Sequence, residues 1–213
     1  MELLIVAKQP RPGFAKTRLI PALGPEGAAT LATAALLDTF DAAAASRADR
    51  VVVAFDGDPT DLVPSSFEVV PQPDGPFDLR LADAWRQVTG PALQIGMDTP
   101  QVTAADLDLA FATLDSSAGG AVLGPALDGG WWALGMVEPD PSLLEGVPTS
   151  TEVTGEVQAT RLRTSGRPPT LLARQRDLDE PEDIGPVARS CAPGSRFALA
   201  VAALSAAAGA ATR

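Results

Sequence analysis

The chain has 213 residues, of which 46% are hydrophobic, and this composition suits one α/β domain with a sizeable core while excluding general disorder. Its formal net charge of -11 argues against nucleic acid as the main partner, because a phosphate backbone requires a basic binding face. The single cysteine excludes an intrachain disulfide framework, and the N-terminus lacks the layout of a signal peptide, so the sequence predicts a cytoplasmic protein.

The composition also restricts the chemistry. There is no histidine, which excludes Ser-His-Asp and Cys-His catalysis and histidine-ligated zinc or iron sites. Because there is also only one cysteine, any bound metal must be a hard cation held by oxygen atoms, which predicts Mg2+ or Mn2+. Acid–base steps would fall to carboxylates, lysines or solvent.

The first half of the chain alternates predicted strands with predicted helices. Strands are predicted where apolar runs are short and bounded by turn residues, and helices where apolar residues recur at helical spacing. A loop rich in proline and glycine is predicted over 8–24. The predicted strands are 2–7, 51–55, 67–70 and 92–96, and the predicted helices are 25–45, 79–88 and 103–114, the last opening on a capping box.

The second half continues the alternation. Its predicted strands are 120–123, 131–136 and 170–173, and its predicted helices are 151–165, 180–189 and 197–212. Strands alternating with helices predict an α/β fold, a three-layer α/β/α sandwich with a mostly parallel sheet. We expect residues 1–190 to form a single nucleotide-binding domain.

The remaining residues, 191–213, form an Ala-rich tail that is predicted to be helical. Its apolar stretch falls short of the roughly 20 residues that a membrane span requires. We therefore expect no membrane partner. The tail helix is expected to pack on the domain or on a partner subunit, for example in a homodimer.

The loop after the first strand is locally basic although the protein is acidic. No acidic residue lies between positions 2 and 26, and the only two lysines of the chain fall there. Lysine binds phosphate as a point charge and arginine binds it in a planar, bidentate way, so this loop predicts a polyphosphate cradle. The alternative is a solvated basic loop. The predicted nucleotide-binding residues are Lys8, Arg11, Gly13, Lys16 and Arg18.

Several carboxylates follow predicted strands. Asp98 ends the strand 92–96, and Asp177 and Asp179 follow the strand 170–173. Because the carboxyl ends of parallel strands open onto one edge of a sheet, these acids can converge with the basic loop. Two or three carboxylates together with phosphate oxygens can hold Mg2+. The sequence thus predicts a metal site, with helix or turn capping as the alternative role for each acid.

Two further segments allow two readings each. Asp56-Gly57-Asp58 follows a strand, where an Asp-x-Asp motif can bind manganese, but Asp-Gly pairs also form turns, and we favour the turn. Asp128, Gly129, Gly130 and Trp131 could line an acceptor pocket, with a tryptophan stacking on a ring or sugar. They could equally be a hairpin turn followed by a strand with core tryptophans.

Four motifs then occur in a fixed order: Ala7-Lys-x-Pro-x-Pro-Gly-x-x-Lys-Thr-Arg-Leu19, Ile95-Gly-x-Asp-x-Pro100, Gly124-Pro-x-x-Asp-Gly-Gly130 and Asp177-x-Asp-x-Pro-Glu-Asp183. Together they resemble the radical-SAM/selenodomain-associated transferase 1 family, within the glycosyltransferase-A-like (GT-A-like), nucleotide-diphospho-sugar transferase superfamily. The resemblance covers residues 3–184. The first motif and the Asp-x-Asp pattern are also similar to those of 2-phospholactate and phosphoenolpyruvate guanylyltransferases.

The resemblance implies roles for particular residues. Lys8, Lys16 and Arg18 would contact nucleotide phosphates, and Asp98 and Asp179 would hold magnesium. The chain departs from the family pattern at 75–81, where a second glycine of a Gly-rich signature is missing, so base or substrate selection can differ there.

The sequence therefore predicts a magnesium-dependent transferase that binds a nucleoside triphosphate (NTP) or nucleoside-diphosphate sugar (NDP-sugar). It would move a nucleotidyl or glycosyl group to a small acceptor. Lys16 and Arg18 are expected to neutralise phosphate charge, Asp98 to bind the metal, and Asp128 to orient the acceptor. Alternatives are a glycosyltransferase that uses an NDP-sugar, and a nucleotide-binding regulator without turnover.

Overall fold

Seven strands form one sheet in the computed structural model, which describes residues 1–211. The strands are β1 (Glu2–Lys8), β2 (Arg50–Asp56), β3 (Glu68–Pro71), β4 (Ala92–Gly96), β5 (Ala121–Pro125), β6 (Trp131–Met136) and β7 (Thr170–Leu171). Their order across the sheet is β3-β2-β1-β4-β6-β5-β7. Strand β6 runs antiparallel to β4 and β5, and every other described pairing between strands is parallel.

Helices cover both faces of this sheet. They are α1 (Ile20–Ala45), α2 (Phe77–Trp85), α3 (Ala104–Ser116), α4 (Thr154–Thr164), α5 (Pro181–Ser190) and α6 (Arg196–Ala211). Phe40 of α1 and Phe111 of α3 pack on one face of the sheet, whereas Trp85 of α2 and Leu162 of α4 pack on the other. The predicted α/β/α arrangement with a mostly parallel sheet is confirmed.

A third apolar cluster lies outside the two sheet faces. Phe197 of α6 and Val187 of α5 pack there with Leu31 of α1. The carboxylate of Asp38 on α1 accepts hydrogen bonds from the backbone N–H groups of Arg196 and Phe197, at 3.0 and 2.8 Å, and so fixes the start of α6. The tail helix thus packs on α1 of its own chain. Positions 212–213 of the predicted tail lie outside the described residues.

Two helix starts differ from the prediction. Helical structure begins before α1, in a 3-10 turn at Thr17–Leu19, and runs into the predicted loop 8–24 because Leu19 is buried. Gly24 interrupts α1 with a φ of 70°, and this kink separates the first turn from the predicted start at 25. Helix α4 begins at Thr154 and not at 151, because Ser150 has a φ of 58° and residues 151–154 form a turn.

Other boundaries shift by a few residues. The predicted helix 79–88 spans Phe77–Trp85, and the predicted strand 170–173 shortens to Thr170–Leu171. The capping box of α3 is confirmed, since the Thr103 side chain accepts from the backbone of Asp106 and the Asp106 carboxylate accepts from the backbone of Thr103.

One described stretch, Thr17–Ala45, is long and apolar enough to cross a membrane by length and composition alone. Half of its most apolar window is buried inside the fold. Leu36 and Phe40 from this stretch pack against β1 and β2, as expected for a core helix.

Candidate functional site

A cleft of about 900 Å³ opens at one edge of the sheet. The carboxyl ends of β1 and β4 lead into it, as in other open α/β sheets. Because β6 is antiparallel, its amino end reaches the same edge, where the Asp128–Gly130 turn precedes it. The segment after β7 also ends here, with Arg176 to Asp179. Four parts of the chain that are distant in sequence therefore meet.

Lys16 lies in the centre of this arrangement. Its side chain is 7% exposed, and its Nζ lies 2.8 Å from Asp98 Oδ1 and 2.9 Å from Asp179 Oδ1. Burial alone would lower the pKa of Lys16, but the two carboxylates outweigh it and raise the pKa, so the side chain is an ammonium. An ammonium has three N–H donors, so one remains for a ligand. The residue has a φ of 48°, a left-handed backbone conformation that is uncommon outside glycine.

Three carboxylates gather beside Lys16. One oxygen from each of Asp128, Asp177 and Asp179 lies within 4.8 Å of the others. Burial, together with the charges of Asp128 and Asp179, raises the pKa of Asp177 to about 6, and the Lys16 ammonium offsets only part of this increase. A divalent cation would relieve this repulsion. Carboxylate oxygens are hard ligands, so this acid cluster fits Mg2+ or Mn2+.

The structure places the predicted metal ligands in two different environments. Asp177 and Asp179 belong to the acid cluster, but Asp98 pairs with Lys16, and Asp128 stands in the cluster in its place. Asp128 was expected in the acceptor pocket and not among the metal ligands. The turn between β5 and β6 lies beside the segment after β7, where Ala126 bridges Gln175, and this long-range contact is not visible in the local sequence pattern.

The predicted phosphate-binding residues are also divided. Lys8, Lys16 and Arg18 line the cleft. Arg18 is 58% exposed on its side chain, and its Nη1 lies 3.6 Å from Asp179 and 3.4 Å from Glu180. Arg11 and Gly13 are not among the residues that line the cleft, and the Arg11 guanidinium stacks instead over the exposed Phe14 ring at 5.0 Å.

The Asp128–Gly130 segment is a hairpin turn that also borders the cleft. The backbone N–H of Gly130 donates to Asp128 Oδ1 at 2.7 Å. A Cβ at Gly129 would lie 2.0 Å from the carbonyl oxygen of Glu152, so the absence of a side chain allows this close approach. Trp131 lines the cleft. The buried Trp132 donates from Nε1 to the carbonyl oxygen of Ala173 at 2.9 Å.

The competing Asp56-Gly57-Asp58 motif is a turn. The Asp58 side chain accepts from the backbone N–H of Thr60 at 2.9 Å, and Asp56 pairs with Arg80 at 2.9 Å. Neither acid belongs to the acid cluster. The preference for a turn at this position agrees with the structure.

The cleft also contains polar residues that were not predicted to belong to it, among them Gln72, Arg80, Gln94 and Gln158. Gln94 occupies the middle of an otherwise apolar strand, and this isolated polar residue is the one signal that could have identified it. Gln72 donates from Nε2 to the carbonyl oxygens of Ala7 and Ala54, at 2.8 and 2.7 Å, and accepts from Arg80. It thereby ties the loop after β3 to β1 and β2.

Comparison with known proteins gives a family and a fold. Residues 33–151 match the model of a family described as "Uncharacterized protein conserved in bacteria (DUF2064)". No curated protein sequence matches the chain. Solved structures do resemble it.

A protein from Desulfovibrio desulfuricans G20, provisionally assigned as a nucleotide-diphospho-sugar transferase, has 21% identity and a TM-score of 0.74, with 84% of this chain and 82% of that chain covered. Rv0371c from Mycobacterium tuberculosis H37Rv, in complex with manganese, has 18% identity and a TM-score of 0.54, with 87% and 97% covered. The 2-C-methyl-D-erythritol 4-phosphate cytidylyltransferase from Thermus thermophilus has 15% identity and a TM-score of 0.53, with 96% and 99% covered. These likenesses confirm the predicted GT-A-like fold.

Proposed function

The chain belongs to the DUF2064 family, and from this site we propose that it is a nucleotide-binding transferase that depends on Mg2+ or Mn2+. It would transfer a nucleotidyl group from an NTP, or a glycosyl group from an NDP-sugar, to a small acceptor. We also propose that the chain is a member of the radical-SAM/selenodomain-associated transferase 1 family, which its sequence motifs resemble. A cytoplasmic location is part of the same proposal.

The observation that carries this proposal is the position of Lys16. A buried ammonium lines a large cleft and lies between Asp98 and Asp179, and Asp179 itself belongs to the acid cluster. Transfers from nucleotides need little covalent participation by the protein, and the main work is alignment and charge neutralisation. The third N–H of Lys16, together with Lys8 and Arg18 in the lining of the same cleft, supplies positive charge for a bound phosphate chain.

Asp128, Asp177 and Asp179 are the residues that would hold the divalent ion. The ion, when bound, would neutralise charge that builds up on the phosphates during transfer. The manganese complex of Rv0371c and the cytidylyltransferase with the same fold support both the metal and the nucleotide parts of the proposal. Asp98, which pairs with Lys16, would keep the ammonium oriented.

Titration of Mn2+ followed by electron paramagnetic resonance tests the metal site. We expect Asp128→Asn, which can retain the hydrogen bond from Gly130, to weaken Mn2+ binding at least tenfold. Asp58→Asn is the matched control, because Asp58 caps a turn outside the acid cluster, and we expect it to bind Mn2+ like the wild type. Equal Mn2+ affinity in all three proteins would contradict the metal assignment.

Calorimetry with GTP, ATP, CTP, UTP and UDP- and GDP-sugars, with and without Mn2+, tests the nucleotide part. We expect at least one nucleotide to bind more tightly with the metal. Release of pyrophosphate with an acceptor would identify nucleotidyl transfer, and release of a nucleoside diphosphate would identify glycosyl transfer. Metal-independent binding without either product would favour a regulator, and no binding at all would overturn the proposal.

A further inference from the structure

Two buried glutamines line the cleft with one half of each amide unused. Gln94 is 2% exposed, and its Oε1 accepts from the indole Nε1 of Trp85. Gln158 is 1% exposed, and its Nε2 donates to the carbonyl oxygen of Leu143 at 3.1 Å. Because an indole N–H only donates and a carbonyl only accepts, these partners fix both amide orientations. Among residues 1–211, none accepts from Gln94 Nε2 and none donates to Gln158 Oε1.

The unused atoms are accessible from the cleft. Both glutamines line it, and neither free atom is among the fully enclosed atoms without a hydrogen-bond partner. Buried polar groups are nearly always paired, so a free donor and a free acceptor in the lining of one cleft favour a ligand that supplies both complements. A hydroxyl group donates and accepts, whereas an ionised phosphate or carboxylate only accepts and leaves Gln158 Oε1 unpaired.

Negative charges in the lining of the same cleft select against a further anion. Asp128, Glu152 and Asp177 line the cleft, and within the described chain none of the three has a cationic partner within 4.0 Å. A divalent ion held by the acid cluster would offset two of these three negative charges and leave one, so the lining would stay negative. A second anionic group placed here would be repelled and poorly solvated.

Other residues of the cleft lining are suited to contact a sugar or polyol. Trp131 is partly buried and lines the cleft, and its ring can pack against the C–H face of a sugar or polyol. Three residues with hydroxyl groups also line the cleft: Thr149, Ser150 and Thr151. Ser150 is held at a positive φ of 58°, a strained conformation that recurs at binding sites.

We infer that the part of the cleft lined by Gln94, Gln158 and Trp131 binds an uncharged polyhydroxy compound as the acceptor of the proposed transfer. The two glutamines would hydrogen-bond to its hydroxyl groups, and the site would reject phosphorylated and carboxylated acceptors. That this ligand is the acceptor of a transfer rests on the proposed function. Its chemical class rests on the geometry of the cleft alone. It would distinguish this chain from 2-phospholactate and phosphoenolpyruvate guanylyltransferases, whose named substrates are anionic.

Ligand-observed NMR with matched compounds tests the ligand class. The probes are free hexoses, pentoses and polyols, each with its phosphate ester, and the amino sugar glucosamine as the cationic member. Each is titrated without nucleotide and then with the nucleotide that binds best. We expect at least one neutral compound to bind at least tenfold more tightly than its phosphate. Tighter binding of the phosphates, binding of glucosamine alone, or binding of no compound would overturn the inference.

Variants then assign the contact. Gln158→Met keeps the side-chain volume and removes the free acceptor, so we expect at least tenfold weaker binding of the neutral compound and nucleotide affinity within twofold. If nucleotide affinity falls instead, the glutamines read the ribose hydroxyls and the acceptor assignment is wrong. Binding of neutral compounds without any nucleotide binding would keep the ligand class and reject the proposed transferase.

A second variant, at the surface, keeps the inference testable if Gln158→Met does not fold. Glu152 is exposed, so Glu152→Gln preserves packing while removing one negative charge from this wall. We expect the preference for a neutral compound over its phosphate ester to shrink severalfold, with an unchanged melting temperature. An unchanged preference would show that charge does not set the selectivity.

Discussion

The two ends of β1 both gather acidic side chains, and they differ in how those acids are satisfied. At the amino end, Glu2 accepts from the backbone N–H groups of Thr89 and Gly90, at 2.9 and 2.7 Å, and pairs with Arg50. At the carboxyl end, the acid cluster has Lys16 and the exposed Arg18 as its cations, and both are shared with other acids. The first end is complete without a ligand, whereas the second has charge left over. Under-compensated charge is what a cation-dependent binding site requires.

The pKa shifts of the two ends run in opposite directions. Burial pushes the pKa of Glu2 upward, but the amides of Thr89 and Gly90 and the Arg50 guanidinium outweigh it and lower the pKa. Burial and the neighbouring carboxylates together raise the pKa of Asp177 to about 6. Ionisation therefore stabilises the folded state at the amino end and destabilises it at the carboxyl end.

The largest loss of stability is expected from Glu2→Ala. The change leaves the backbone N–H groups of Thr89 and Gly90 and the partly buried Arg50 guanidinium without their acceptor, which we expect to cost about 3 kcal/mol of unfolding free energy. Because the pKa of Glu2 is lowered, its contribution is present above its ordinary pKa and is lost as pH falls below about 4.5. Urea denaturation at pH 7 and pH 3 measures both. A difference between wild type and variant that stays constant with pH would contradict the role of the charged form.

A smaller loss is expected from Lys16→Met. Removal of the ammonium leaves Asp98 and Asp179 facing each other, but both are partly exposed, so we expect a cost of about 2 kcal/mol. Nucleotide affinity is expected to fall at least tenfold. Lys8→Met is the matched control, because no described acid pairs with Lys8, so its stability should stay near that of the wild type. Equal stability of the two variants would show that the Lys16 ion pairs contribute nothing.

Asp177→Asn is expected to increase stability at neutral pH. The folded pKa is about 6 against an ordinary 3.8, so the protonated folded state is favoured at low pH and this advantage is lost as pH rises towards 6. With the carboxylate partly exposed and screened, we expect a gain of about 1 kcal/mol at pH 7.5. Melting curves from pH 4 to 7.5 should show a decline in the wild type that the variant lacks. Parallel curves would reject the raised pKa.

The smallest effect is expected at the rim of the amino end. Arg50 Nη2 lies 2.8 Å from Glu68 Oε2, and both side chains are substantially exposed. Exposed ion pairs contribute little, so Glu68→Gln should change the unfolding free energy by less than about 0.5 kcal/mol. A loss as large as that of Glu2→Ala would mean that the network around Arg50 acts as one unit.

Local pattern was sufficient for most of the fold. The strands β4 and β6 lie where the apolar runs predicted them, and the capping box of α3 was readable from Thr103 and Asp106. The start of α1 was missed because Gly24 and Pro25 are typical of a helix boundary, whereas here they mark a kink. Tertiary burial of Leu19 keeps the preceding turn in place, and burial of this kind is not visible in local sequence.

For the site, the sequence indicated the residue types better than their groupings. The position of the strand ends on one edge of the sheet correctly suggested that Lys16, Asp98 and Asp179 could meet. In the structure, Lys16 Nζ lies within 3 Å of an oxygen of each aspartate. The place of Asp128 in the acid cluster depends on the antiparallel strand β6, which lies between β4 and β5 in the sheet. The cleft roles of Gln94 and Gln158 depend on which half of each amide is left unpaired. Neither kind of information is contained in spacing.

The close contact at Gly129 has a mechanical consequence. Its carbonyl oxygen accepts from the backbone N–H of Gly155 at 2.8 Å, and the backbone of Glu152 fills the space where a side chain would be. The β5–β6 turn and the lead-in to α4 are thereby locked together. A displacement of the Glu152 segment would therefore also move the Asp128 carboxylate. Ligand binding beside Glu152 and cation binding at Asp128 would then be coupled, so that each changes the affinity of the other.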